Sequence, residues 1–187
     1  MANSPIDQAR WFVALLPPLD LQNRVTAIKE DLWQRFQSKA ALKSPPHITL
    51  QPPFLWPVES LAALNQSLAA FALEQAPIPI QLAGYSAFPP RVIYIDVQPE
   101  PSLFACQAAL QTEFEATFGL TQANAQHHSF TPHMTVGFRD LKPAAFHRAW
   151  AEFKNRPFAA SFVAQTLTLL RHDGQRWRVA ADFPFGA

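Results

Sequence analysis

The chain has 187 residues, 49% of them hydrophobic and 16% charged, with a formal net charge of +1. That balance suits one soluble unit, residues 1–187, and argues against a protein that grips long duplex nucleic acid by its phosphates. No apolar run reaches the ~20 residues of a membrane span, and the single cysteine, Cys106, leaves no partner for an internal disulfide. The first ten residues lack the basic-then-apolar layout of a signal peptide, so a reducing cytoplasm and a monomeric state are the expectation.

The first predicted strand is the apolar run Trp11 to Leu16, stopped by Pro17-Pro18. A helix follows, with Asp20 as its expected N-cap and Leu21, Val25, Ile28, Leu32 and Phe36 at helical spacing. The segment from Pro45 to Phe54 carries a short apolar/polar alternation. A second helix is predicted from about Glu59 to Glu74, then strands at Ile78 to Leu82 and Arg91 to Val97, the latter rich in β-branched and aromatic residues.

A third helix is expected to start near Ser102, with Pro101 ahead of it and Gly119 as its stop. After a polar loop comes a strand around His133 to Phe138, then a fourth helix opening at Pro143. The chain closes with strands at Ser161 to Arg171 and Trp177 to Phe183, separated by the hairpin-turn signal Asp173-Gly174. The order predicts an α+β fold with mainly antiparallel pairing. Strand, helix, histidine-bearing strand, helix and strands recur in each half, which predicts a duplicated, bilobal arrangement.

Two pentapeptides carry the chemistry. Residues 46–50 read Pro-His-Ile-Thr-Leu and residues 132–136 read Pro-His-Met-Thr-Val, nearly half the chain apart. Side chains alternate along a strand, so His47 and Thr49 share one face, as do His133 and Thr135, while the apolar residues between them anchor the other face. If a pseudo-dyad relates the halves, two imidazoles and two hydroxyls meet in one cleft. In-line displacement at phosphorus needs one proton removed from the attacking group and one given to the leaving oxygen. Two imidazoles titrating near ~6.5 supply both. The threonines can donate to the non-bridging oxygens as charge builds. A third match, His127-His128-Ser129, lacks the proline and falls in a polar loop.

At these residues the chain resembles the two-histidine (2H) phosphoesterase superfamily, and within it the 2′-5′ RNA ligase-like cyclic phosphodiesterases. Trp11 to Pro17, Arg91 to Ile95, Phe138-Arg139-Asp140-Leu141 and the closing hairpin are similar too. The resemblance implies two antiparallel sheets around a central cleft, helices outside, and neither metal nor cofactor. It implies hydrolysis of 2′,3′-cyclic phosphates to 2′-phosphates, sometimes with 2′-5′ ligation. By position it makes His47 the acid toward the leaving 3′ oxygen and His133 the base toward water, although the reverse order satisfies the same chemistry. The expected partner is a small nucleotide or an RNA terminus with a cyclic phosphate. The proline-rich Gln51-Pro52-Pro53-Phe54 departs from relatives that process tRNA ends.

Arg91 and Arg139 are candidate phosphate contacts, since guanidinium forks suit that anion. Phe54, Tyr94 and Phe138, with Trp56, are candidates to stack a base. A closed zinc site needs three or four ligands, and neither motif has a cysteine or carboxylate at ligand spacing. His147 reads as a solvated helix residue and His172 as part of a turn. The competing expectation is a module that binds a nucleotide or RNA end in the same cleft without turning it over.

Overall fold

The computed structural model describes residues 7–120 and 129–186. Its helices are α1 (Leu19–Phe36), α2 (Leu61–Leu73), α3 (Pro101–Phe118) and α4 (Pro143–Phe153). The strands are β1 (Gln8–Leu15), β2 (Ile48–Pro57), β3 (Ile78–Phe88), β4 (Val92–Val97), β5 (His133–Gly137), β6 (Ala159–Ala164), β7 (Thr166–His172) and β8 (Trp177–Pro184). They form two four-stranded sheets, ordered β2-β1-β7-β8 and β5-β4-β3-β6, with every pair antiparallel.

Each histidine-bearing strand is the edge of its sheet beside that sheet's first central strand, and the edges β2 and β5 lie against each other. The helices cross between sheets. α1 leaves β1 but packs on β5, and α3 leaves β4 but packs on β2, while α2 covers β7 and β8 and α4 lies against β4 and α1.

The apolar run of β1 is unbroken because both its faces are covered. Trp11, Val13 and Leu15 enter the main core, and Phe12 and Ala14 join Leu170 on the opposite face. The main core draws on both sheets and all four helices, for example Ile48, Ile95, Met134, Leu32, Leu64, Phe114 and Phe146. Each such large side chain contributes about 1.5–3 kcal/mol on leaving water.

Local chemistry sets the boundaries. Pro101 and Pro143 open α3 and α4, and Gly119 closes α3 with φ 63°. Asp20 is not the cap of α1: that position is Pro18, whose carbonyl accepts from Gln22 N at 2.9 Å, and Asp20 lies in the first turn. Pro52 and Pro53 are tolerated inside β2 because it is an edge strand, and they fall where the pairing with β1 slips between Phe54↔Trp11 and Gln51↔Val13.

Two strand expectations need correction. β3 runs on to Phe88, passing a slip in its register between Leu82 and Tyr85 where Gly84 takes φ 70°. The single run expected from Ser161 to Arg171 is two strands in different sheets, parted at Gln165: β6 pairs with β3, and β7 pairs with β1 and β8. Asp173-Gly174 opens the loop of residues 173–176 that joins β7 and β8 in the expected hairpin, closed by Asp173 N donating to Arg176 O at 2.9 Å.

Candidate active site

His47 stands just ahead of β2 and His133 opens β5. In both motifs the apolar residues are fully buried (Ile48, Leu50, Met134, Val136) and the histidine and threonine are half-buried. The threonines sit in register with the neighbouring strand, Thr49 opposite Ala14 and Thr135 opposite Tyr94.

The two imidazoles are held in the same way. His47 Nδ1 lies 2.6 Å from Pro45 O, and His133 Nδ1 lies 2.7 Å from Thr131 O. A carbonyl oxygen only accepts, so each Nδ1 carries the hydrogen and each neutral ring leaves Nε2 free for proton transfer. The motif's leading proline has a part in this. Pro46 and Pro132 bias the residues before them, Pro45 and Thr131, toward extended backbone, and it is the carbonyls of those two residues that meet the rings.

Burial pushes His47 down from the ordinary imidazole value to about 4. The Pro45 carbonyl opposes the shift, and the charges of Lys29 and His133 add to it. Burial also lowers His133, against the pull of the Thr131 carbonyl. Both rings are therefore neutral in the free protein at pH 7.

Aromatic side chains flank each ring. Phe12 packs 4.8 Å from His47, and Trp177 stands edge-on to Phe12 at 4.6 Å. Phe88 and Tyr94 pack 5.1 and 5.2 Å from His133. Tyr94 is the one predicted stacking residue beside a motif histidine.

Phe54 is corrected outright. It belongs to the core, edge-on to Phe114 at 5.2 Å and on the face of β2 that carries Ile48 and Leu50. Trp56 packs on Phe118 and donates to Ser60 O. Phe138 follows β5, with its N donating to Ser38 Oγ and the exposed Arg139 over its ring at 4.9 Å. Arg91 is exposed in the turn between β3 and β4, next to Phe88 in space through Arg91 N and Phe88 O. His147 is exposed on α4, and His172 ends β7 with Nδ1 accepting from Gly174 N. His127 and His128 lie outside the described residues.

Sequence reasoning missed Phe12, Phe88, Trp177 and the buried Lys29. Phe12 had a readable signal, since it alternates with Trp11 and Val13 in a run covered on both faces. Nothing in the sequence marks Lys29.

The α+β fold of two antiparallel four-stranded sheets is shared with solved proteins. Escherichia coli LigT complexed with 3′-AMP superposes with a TM-score of 0.72 at 18% identity, over 97% of this chain and 100% of LigT. The Thermus thermophilus protein TT0787 gives 0.65 at 18% identity over 94% and 97%. The sequence model of the 2′-5′ RNA ligase superfamily matches residues 17–176, so the chain belongs to that superfamily, the 2H phosphoesterases. A candidate phosphoesterase of Geobacillus kaustophilus is 31% identical over 147 residues, 78% of each chain. One of Oceanobacillus iheyensis is 27% identical over 180 residues, 95% of this chain and 98% of the relative.

Proposed function

We propose that the protein hydrolyses 2′,3′-cyclic phosphates of nucleotides or RNA ends, with His47 and His133 as the acid and base. The observation that carries this reading is the twin anchoring: two remote histidines, each with Nδ1 tied to the carbonyl two residues back, on abutting edge strands. His133 Nε2 takes a proton from water as its oxygen bonds to phosphorus. The bond from phosphorus to the 3′ oxygen breaks, and His47 gives that oxygen its proton. A 2′-phosphate remains. Thr49 and Thr135 donate hydrogen bonds to the non-bridging oxygens. Of the aromatic side chains beside the rings, the exposed Phe88 and the half-buried Trp177 suit a base, and the buried Tyr94 and Phe12 back them.

LigT has been crystallised with 3′-AMP, ATP and NADP+, which supports a small nucleotide as the ligand class. A reducing, cytoplasmic setting fits Cys106, which is buried, its thiol pushed up to about 11. A monomeric state completes the reading.

The test is turnover of nucleoside 2′,3′-cyclic phosphates in excess chelator. His47→Ala and His133→Ala should each lower kcat by roughly 10²–10⁴-fold. Undiminished turnover in both variants overturns the assignment. Tight binding of the cyclic nucleotide with no product from the unaltered protein makes the cleft a binding module instead.

A further inference from the structure

Behind His47, α1 and the β7–β8 hairpin enclose a groove of about 360 Å³, whose lining includes Lys29, Lys43, Arg176, Trp177 and Arg178. Among the described residues no carboxylate lines it. Among the described residues only Arg178 has an acidic partner, Asp173 at 3.0 Å, and Lys29, Lys43 and Arg176 have none.

Lys29 is the telling member. It is 2% exposed, and its Nζ donates to Ser44 O at 3.1 Å. An ammonium has three donors, so one bond leaves it under-satisfied. Burial without a counter-ion pushes it down to about 7. A cation held this way is costly unless something anionic joins it.

The groove borders the candidate site. Ser44, Pro45 and Pro46 line it and lead directly into His47. Trp177 lines it and packs on Phe12, which packs on His47. Beyond Lys43 and Arg176 a second groove of about 480 Å³ continues along Trp33, Lys39 and Gln175.

We infer that this groove binds a second phosphate of the same ligand, with Lys29 at its floor and Lys43 and Arg176 at its rim. The substrate is then a nucleotide with another phosphate besides the reacting one, either a 5′-phosphate or an internal phosphodiester. The inference rests on the phosphoesterase reading for the position of the first phosphate. The chemistry of the groove itself, cations without anions, stands apart from it.

Two measurements test it. The first compares kcat/KM for a nucleoside 2′,3′-cyclic phosphate with that for its 5′-phosphorylated form and for a dinucleotide ending in the same cyclic phosphate. At low salt, one of the two longer esters should gain about tenfold or more, and which one gains identifies the source of the second phosphate. In a Lys43→Ala/Arg176→Ala double variant that ratio should fall to near one. A ratio near one in the unaltered protein overturns the inference and leaves cyclic phosphodiester hydrolysis standing.

The second measurement needs no turnover. The ¹⁵N signal of Lys29 Nζ is followed against pH with and without saturating nucleoside 5′-phosphate. Its midpoint should rise by about one unit or more, as an adjacent anion favours the ammonium. The rise should shrink in the double variant and persist in His133→Ala. An unmoved midpoint, or a rise lost equally in His133→Ala, overturns the inference even if every cyclic ester proves inert.

Discussion

His47 and His133 share one anchoring geometry but not one environment. Burial drives His47 down to about 4, and of the two rings it alone is also lowered by the charge of Lys29. To serve as acid it must be recharged by the phosphate it acts on, so the basic limb of kcat should lie at higher pH than that of kcat/KM, by about one unit or more. Roles are separable by leaving group: an ester whose departing alcohol needs no protonation should restore most activity to His47→Ala and little to His133→Ala. Stability follows the same charges. An unfolded imidazole titrates near ~6.5, so between that value and about 4 the unfolded chain binds protons that the folded one refuses. The contribution of His47 to stability should be level above pH ~6.5 and fall as the pH drops toward 4, by on the order of 2 kcal/mol. Chemical denaturation across that range should show the slope, and His47→Gln should flatten it. The histidines and threonines were legible because a doubled five-residue pattern encodes face, anchor and chemistry at once. Phe54 was misjudged on its aromatic character alone, since alternation counted from Ile48 and Leu50 already places it on the apolar face, where it is buried.

Among the elements, the junction after β5 does the most to hold the two motifs together. Asp140 accepts from Ser38 Oγ at 3.0 Å and from Lys39 N and Ala40 N at 2.8 Å each. It thereby caps the short 3₁₀ turn Ala40–Lys43, and Ser38 Oγ also receives Phe138 N. The chain leading into His47 is thus tied to the chain leaving His133. Asp140→Ala should cost about 1–3 kcal/mol by thermal or denaturant unfolding. It should also lower kcat more than it raises KM, because it displaces catalytic groups rather than a binding contact. Asp140→Asn should recover part of both losses. The four helices and most strands were readable from periodicity and punctuation, since Pro101, Gly119 and Pro143 mark ends without tertiary help. The parting of β6 from β7 at Gln165 was not, because neither glycine nor proline stands there. Only the sheets themselves decide that one half of an apolar run pairs with β3 and the other with β1.

At the scale of the molecule, the halves are duplicated yet interlocked. α1 and α3 each serve the sheet opposite their own strand, the chain steps from one sheet to the other at Gln165, and one apolar cluster runs through both. Heat or denaturant should therefore unfold the protein in one cooperative transition, with tryptophan fluorescence and far-ultraviolet circular dichroism coinciding. Two resolved steps would mean the lobes are separable. Duplication was foreseeable from the repeated motif, whereas interlocking was not, since nothing local tells a helix which sheet it will cover. The paired prolines of β2 carry a last consequence. A sheet rim normally offers an uninterrupted row of amides and carbonyls to any extended chain that drifts alongside. Pro52 and Pro53 are adjacent, and amides alternate sides along a strand, so one of the two donors they remove belongs to that row, which makes this border a poorer template for strand addition by a second polypeptide.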